Sequence, residues 1–139
     1  MKRIKIDIDV GNNFIVKGSI WESEKKKAVV VICHGMAEHI ERYDNTASFL
    51  ADNGYAVVGY DQRGHGQTAN SIEEIGYMSD INNINILVAD LFEVIEFTKS
   101  KFKDLPIYLL GHSMGSFVSL NYIQNYGKDI DGVILSGST

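Results

Sequence analysis

Four short apolar runs rich in β-branched residues recur along this chain, and segments with helical periodicity separate them. The runs are Ala28 to Cys33, Tyr55 to Tyr60, Ile107 to Leu110 and Val133 to Leu135. The helical segments are Glu41 to Asn53, Ile81 to Phe102 and Met114 to Tyr126. Strands that alternate with helices favour a mostly parallel sheet with helices on both faces, because each crossover helix must lie over the sheet. The first run, AVVVIC, lacks polar alternation, which is typical of a strand buried on both faces.

Two alternating stretches precede these runs and predict a hairpin. Lys2 to Val10 and Phe14 to Trp21 alternate in polarity, and Gly11-Asn12-Asn13 supplies turn residues between them. We expect antiparallel strands at a sheet edge. The predicted order is β-β-β-α-β-α-β-α-β, within one α/β domain over residues 1–139 that has no internal repeat or linker.

The apolar spacing also predicts which side of each helix faces the core. The expected inward positions of the second helix are Ile84, Leu87, Val88, Leu91, Val94, Ile95 and Phe97. Those of the third helix are Phe117, Val118, Leu120 and Ile123. The first helix is expected to end before Gly54.

Charge and composition exclude several kinds of partner. The formal net charge is −5 and the pI is near 5.3, so the chain repels phosphate backbones and nucleic acid is not an expected partner. The N-terminal segment MKRIKIDIDV has no continuous apolar stretch, which argues against a signal peptide or an integral membrane segment. The one cysteine, Cys33, lies in an apolar run and is expected to be buried. These features favour a cytoplasmic location.

The strongest catalytic signal is the segment Gly111-His112-Ser113-Met114-Gly115, which fits G-x-S-x-G between a predicted strand and a predicted helix. That context is the one expected for a nucleophile elbow. Side chains on the flanking glycines would clash in so tight a turn. Ser113 would project at a helix N-terminus, where the backbone N–H of Met114 can stabilise an oxyanion.

A second signal, HGMAEH, directly follows the buried strand AVVVIC. Its turn can direct the N–H of Met36 toward the oxygen that Met114 would serve, since ligand groups collect at the carboxyl ends of parallel strands. For His34 and His39 a structural role is favoured over a catalytic one. A zinc site of His34, Glu38 and His39 is weaker still, because the order H-E-x-x-H is absent. Gly35 lies in the turn itself.

A third signal, DQRGHG, follows the next strand. Its residues Asp61, Arg63 and His65 are interpreted as a scaffold for the HGMAEH turn, with Arg63 paired to Glu38 or Asp61. A catalytic role for His65 is the less favoured interpretation.

HGMAEH, DQRGHG and GHSMGS, in this order, resemble the monoacylglycerol lipase and lysophospholipase branch of the α/β-hydrolases. The resemblance extends over essentially the whole chain and implies an α/β-hydrolase fold that stops after the strand following the elbow helix. It implies that Ser113 is the nucleophile and that Met36 and Met114 donate the oxyanion-hole hydrogen bonds. Asp90 lies where many members of the family have an acidic residue, and its role is interpreted as structural. No metal or organic cofactor is implied.

The sequence departs from this family in its histidines. In the fold the acid and histidine follow the nucleophile, but His34, His39, His65 and His112 all precede or adjoin Ser113 on its N-terminal side. Asp129 and Asp131 follow it and are expected at the opposite end of the sheet. The cap and the strands carrying acid and histidine are missing, so the chain is expected to be a partial domain with little or no esterase activity by itself.

Three hypotheses follow for function. The first is a serine hydrolase acting on acylglycerols, lysophospholipids or other small apolar esters. The second is a non-catalytic fragment or split subunit that binds a lipid or a complementary chain. The third is related chemistry on the same fold, such as thioesterase, perhydrolase or acyl-transfer activity. The apolar strand Val133 to Leu135 would be left as an open edge, which predicts self-association through it.

Overall fold

In residues 1–69 and 83–138, which the computed structural model describes, six strands form one sheet in the order β1-β2-β4-β3-β5-β6. The strands are β1 Lys2–Asp9, β2 Ile15–Glu22, β3 Ala28–Cys33, β4 Tyr55–Tyr60, β5 Ile107–His112 and β6 Gly132–Ser136. The helices are α1 Asp44–Asp52, α2 Asn83–Lys101 and α3 Met114–Tyr126. Short 3₁₀ turns lie at Ile40–Tyr43, Gly66–Thr68 and Gly127–Asp129. The predicted α/β class and element order are confirmed.

The N-terminal hairpin forms as predicted. β1 and β2 are antiparallel, with Lys2 opposite Glu22 and Asp9 opposite Ile15. The turn between them places Asn12 and Asn13 at φ values of 52° and 59°, a conformation that asparagine tolerates better than most residues. β1 is the sheet edge, and β2 pairs antiparallel with β4.

The remaining strands are parallel, and this arrangement gathers their carboxyl ends. β3 lies between β4 and β5 with every residue buried, as its unbroken apolar run predicts. Cys33 at the end of β3 is opposite Gly111 of β5, and Ile32 is opposite Gly59 of β4. The segments that follow these three strands therefore leave the sheet together, at the carboxyl ends of the strands.

Helices cover both faces of the sheet. One core cluster joins α2 and α3 to the sheet and includes Leu91, Ile95 and Val118. A second cluster, which includes Ala47 and Ala51, packs α1 on the other face. The predicted first helix divides at Asp44 into a 3₁₀ turn and α1.

Two inward positions predicted from periodicity are wrong. Phe117 is 42% exposed and Ile84 is 36% exposed. The inward side of α3 instead includes the small residues Gly115, Ser116 and Ser119, because the start of this helix lies against the backbone at the end of β3. The predicted positions 81 and 82 of the second helix lie outside the described residues.

β6 pairs with β5 on one side, and within the described part of the chain no strand pairs with its other side. Ile134 of this strand is 55% exposed. None of the helices that the structure describes has the length and apolar character needed to cross a bilayer.

Candidate active site

Ser113 lies in the sharp turn between β5 and α3, at the carboxyl edge of the sheet. Its backbone has φ 54° and ψ −118°, a conformation that residues other than glycine rarely adopt. The Ser113 N–H donates to the Ser136 carbonyl at 2.8 Å. The Ser113 carbonyl accepts from the Ser116 N–H at 2.9 Å and from the Ser116 hydroxyl at 2.6 Å. Bonds on both sides thus hold the serine in this strained geometry, with its side chain exposed.

The glycines that flank the serine have no room for a side chain. A Cβ on Gly115 would overlap the Cys33 carbonyl oxygen and lie 2.6 Å from the His34 carbonyl oxygen. A Cβ on Gly111 would lie 2.5 Å from the Ser119 hydroxyl and 2.6 Å from the Gly115 carbonyl oxygen. The elbow therefore requires glycine at both positions, since most of these neighbours are backbone atoms that cannot move aside.

The HGMAEH turn passes directly over the serine. A Cβ built on Gly35 would lie 3.2 Å from the Ser113 Cβ. The Gly35 N–H donates to Glu38 Oε1 at 2.5 Å, and the Tyr43 hydroxyl donates to the same oxygen at 2.6 Å. Although burial raises the pKa of Glu38, these two hydrogen bonds outweigh it and hold the pKa below the usual value. Glu38 is thus an ionised anchor for the turn, and the neighbouring Met36 is left 57% exposed.

Two of the four histidines are buried and support the loops. His34 Nδ1 lies 2.7 Å from the Gly35 carbonyl oxygen, and its Nε2 accepts from the Gln62 N–H at 3.0 Å. Burial lowers the pKa of His34. His65 Nδ1 lies 2.7 Å from the Arg63 carbonyl oxygen, and its Nε2 accepts from the Ala37 N–H at 3.2 Å. Both rings are therefore neutral with the proton on Nδ1.

Asp61 and Arg63 connect the third motif to its surroundings. Asp61 Oδ1 accepts from the Ile40 N–H at 2.8 Å, which ties the two loops together. The predicted pairing of Arg63 with Glu38 or Asp61 is wrong. Arg63 instead binds Asp90 of α2, with Nε 2.6 Å from Oδ2.

A second bond to Asp90 completes a bidentate pair, with Arg63 Nη2 3.1 Å from Oδ1. The guanidinium also stacks over Phe14 at 3.8 Å from the ring centroid. Burial raises the pKa of Asp90, and the contact with Arg63 opposes this. Asp90 thus joins α2 to the loop after β4. It lies outside the three motifs, which explains why they did not reveal the pair.

The other two histidines lie apart from this network. His39 is exposed, and His112 Nδ1 lies 3.1 Å from the Ser136 hydroxyl. Within residues 1–69 and 83–138, no side chain is hydrogen-bonded to the Ser113 hydroxyl, and no group of three His, Cys, Asp or Glu side chains could hold a metal ion. The zinc alternative thus has no ligand set in this part of the chain. Burial raises the pKa of the Cys33 thiol to about 12, so Cys33 is a neutral core residue.

Two backbone donors remain available near the serine. For the part of the chain that the structure describes, neither the Met36 N–H nor the Met114 N–H has a hydrogen-bond acceptor. Met114 is the first residue of α3, where N–H groups lack intrahelical partners and favour negative charge.

The motifs did not single out Gln62, Tyr43 or Ser136 as partners of the site. Gln62 Nε2 donates to the His34 carbonyl at 2.5 Å, and Gln62 stood inside DQRGHG. Its position within that motif is the one signal that could have found it. Tyr43 contacts Glu38 five residues before it, just after the HGMAEH motif, and Ser136 contacts Ser113 and His112 across the fold, so neither belongs to a motif.

The fold and the strained serine elbow define this chain as an α/β-hydrolase. It belongs to the family described as "Serine aminopeptidase, S33", whose model matches residues 24–139. The chain is 33% identical over 116 residues to the monoglyceride lipase of Mus musculus, covering 83% of this chain and 36% of that protein. It is 32% identical over 118 residues to Phospholipase YtpA of Bacillus subtilis (strain 168), covering 84% of this chain and 42% of that protein. The resemblance to the monoacylglycerol lipase and lysophospholipase branch is confirmed.

A solved structure supports the same assignment. The thermostable carboxyl esterase from Bacillus coagulans, solved in complex with glycerol, superposes with a TM-score of 0.90 at 28% identity. The match covers 100% of this chain and 45% of the esterase. The chain thus spans less than half the length of each of these three proteins.

Proposed function

We propose that these residues form the nucleophile and oxyanion-hole part of a serine hydrolase that cleaves carboxylic esters. Ser113 Oγ attacks the ester carbonyl carbon while a general base accepts the hydroxyl proton. The alcohol leaves, and water then releases the acid from the acyl-enzyme. The observation that carries the proposal is the strained backbone of Ser113, φ 54° and ψ −118°, because a binding module has no use for such a conformation at an exposed serine.

The oxyanion of the tetrahedral intermediate is proposed to bind two backbone donors, the N–H groups of Met36 and Met114. Such donors aimed at developing charge commonly supply about 10² to 10³ in rate each. Gly35 permits the close approach of the Met36 turn to Ser113. His34, Glu38, Asp61 and the glycines of the elbow support this arrangement.

We place the general base outside these 139 residues. The buried histidines accept backbone N–H groups through Nε2, and in this fold the acid and histidine follow the serine. Asp131 accepts from the Ile107 N–H at the start of β5, at the end of the sheet opposite Ser113, so it does not replace the acid.

An apolar ester, such as an acylglycerol or a lysophospholipid, is the proposed substrate class. Met36 is 57% exposed and Phe117 is 42% exposed. Met36 follows Gly35, which closely approaches Ser113, and Phe117 lies in the first turn of α3. Exposed apolar side chains on the two segments that meet at the serine suit an acyl chain, and two relatives carry the names monoglyceride lipase and phospholipase.

The second candidate function is non-catalytic binding of a lipid or a complementary chain. It is favoured by the lack of any side chain bonded to the Ser113 hydroxyl in the described residues. Pairing through the open side of β6, where Ile134 is exposed, is the proposed route to a complementary chain or a second copy.

The test is intact-mass analysis after exposure to a fluorophosphonate, applied to the full-length product of the gene and to the 139-residue chain alone. We expect Ser113-dependent labelling of a product that contains the base, and none of the chain alone. Ser113→Ala should abolish labelling, whereas Ser100→Ala, at an exposed serine on α2, should not. If the full-length product is not labelled, the non-catalytic alternative replaces the hydrolase proposal.

The substrate class is tested separately with a monoacylglycerol, a lysophosphatidylcholine and a short p-nitrophenyl ester. Hydrolysis of the short ester alone would contradict the lipid preference while leaving the ester-hydrolase proposal intact. Light scattering of the 139-residue chain tests the β6 contact, with Ile134→Lys as the variant expected to be monomeric.

A further inference from the structure

The two buried histidines contact the peptide groups on either side of Met36. Their rings lie with centroids 5.2 Å apart, one on the loop after β3 and the other on the loop after β4. We call His34 and His65 together the histidine pair. Their neutral state follows from their partners, since each ring has a backbone carbonyl at Nδ1 and accepts a backbone N–H at Nε2.

The peptide group before Met36 is held by His34. His34 Nδ1 donates to the Gly35 carbonyl oxygen at 2.7 Å. That carbonyl and the Met36 N–H belong to the same peptide plane, and the structure contains no cis peptide bond in its described residues. In a trans peptide the N–H points opposite to the carbonyl. Fixing the Gly35 carbonyl toward His34 therefore directs the Met36 N–H away from that ring.

The peptide group after Met36 is held by His65. Its Nε2 accepts from the Ala37 N–H at 3.2 Å, so the Met36–Ala37 plane is fixed as well. Ala37 has φ 61°, a left-handed conformation that a non-glycine residue adopts at a cost of about 1 kcal/mol. The hydrogen bond to His65 helps to hold it there.

The two loops also brace each other in a reciprocal manner. His34 of the first loop accepts from the Gln62 N–H of the second, and His65 of the second accepts from Ala37 of the first. His34 is fully buried, and His65 is 3% exposed. While the rings are in place, water therefore does not compete for these hydrogen bonds.

We propose that the histidine pair sets the direction of the Met36 N–H by fixing both peptide planes that flank it, and that His34 and His65 are positioning residues of the oxyanion hole. The inference rests on the proposed function, because it assigns a purpose to the orientation of that donor. Neither ring touches the reacting atoms. Their effect on the reaction passes through the backbone of Met36.

His65→Phe and His65→Gln in the full-length gene product form the test. Phenylalanine keeps a ring but removes the acceptor for Ala37, whereas the glutamine Oε1 can accept the same N–H. We expect His65→Phe to lower kcat for ester hydrolysis about tenfold or more with KM within about twofold, since loss of a whole oxyanion donor costs about 10² to 10³. His65→Gln should recover most of that loss.

Thr68→Val is the matched control. Thr68 is as buried as His65 and lies on the same loop, but its hydroxyl bonds the Lys17 N–H and the Asp61 carbonyl rather than residues 34–40. It should reduce stability while leaving kcat within about twofold. An unchanged kcat in His65→Phe, or an equal loss in Thr68→Val, would overturn the positioning role.

Hydrogen exchange measured by mass spectrometry separates this inference from the proposed function. The peptide covering residues 34–40 should exchange faster in His65→Phe than in the parent and Thr68→Val proteins, whether or not the protein is active. If the fluorophosphonate labels no variant, the hydrolase proposal fails and the exchange result still decides whether the histidine pair orders the turn. If exchange of that peptide is unaffected, the histidine pair does not position Met36 even in an active enzyme.

Discussion

Replacing Ser113 by glycine should make the protein more stable than replacing it by alanine. At φ 54° and ψ −118° a residue with a Cβ is strained by about 1–3 kcal/mol. Alanine keeps that strain, whereas glycine removes it. The serine hydroxyl has no hydrogen-bond partner among the described residues, so both variants lose the same small contribution.

The magnitude follows from two opposing effects. Relief of strain contributes about 2 kcal/mol, and the extra backbone freedom of glycine in the unfolded chain costs about 0.5–1 kcal/mol. The free energy of unfolding of Ser113→Gly should therefore exceed that of Ser113→Ala by about 1 kcal/mol. For a chain of this size the difference corresponds to a Tm higher by about 3–4 °C.

Equilibrium urea denaturation of both variants provides the assay, with a second pair as control. Gln124 is exposed on α3, where Gln124→Gly should be less stable than Gln124→Ala by about 1 kcal/mol. The difference between glycine and alanine thus has opposite signs at two positions 11 residues apart. A Ser113→Gly protein no more stable than Ser113→Ala would show that the elbow is not strained.

Three further predictions concern stability. Gly115→Ala should destabilise the protein by at least about 3 kcal/mol in urea denaturation, because its Cβ would overlap the Cys33 carbonyl. Asp90→Asn should cost about 2–4 kcal/mol in the same measurement, since it leaves the Arg63 guanidinium without its buried partner; a loss below about 1 kcal/mol would contradict this. Burial lowers the pKa of His34 in the folded protein. As the pH falls below about 6.5, His34 therefore binds a proton in the unfolded chain before it does so in the folded protein, and the free energy of unfolding decreases by up to about 1.4 kcal/mol per pH unit. Denaturation at pH 5.5 and 7.5 should show a smaller loss in His34→Gln than in the parent protein.

The sequence was sufficient to predict the sheet and the sharp turn at Ser113, between β5 and α3, because the signals were local. An unbroken run such as AVVVIC can be buried only in the sheet centre, and a G-x-S-x-G between strand and helix allows few conformations. The apolar periodicity predicted the inward side of α3 less reliably. Its inward side is set by how closely Gly115 approaches the end of β3, so Phe117 lies outside although its apolar character favoured the core.

The contacts between motifs could not be predicted in the same way. The three motifs offered Arg63 two acidic partners, Glu38 and Asp61, yet it binds Asp90 because α2 crosses beside the loop in the folded chain. Asp61 is already occupied by the N–H groups of Ile40 and Gln67. Partner choice among several carboxylates depends on which of them are already satisfied, and this depends on tertiary structure.

The hydrogen bonds also bear on whether the two buried histidines, His34 and His65, could serve as a general base for Ser113. A general base needs an imidazole nitrogen with a free lone pair directed at the serine hydroxyl. In His34 and His65 the Nε2 lone pair accepts a backbone N–H and the Nδ1 proton faces a carbonyl, so neither nitrogen is available. Releasing either ring to act as a base would break the contact that holds the turn at Met36. In the proposed hydrolase, the general base must therefore be a residue other than His34 and His65.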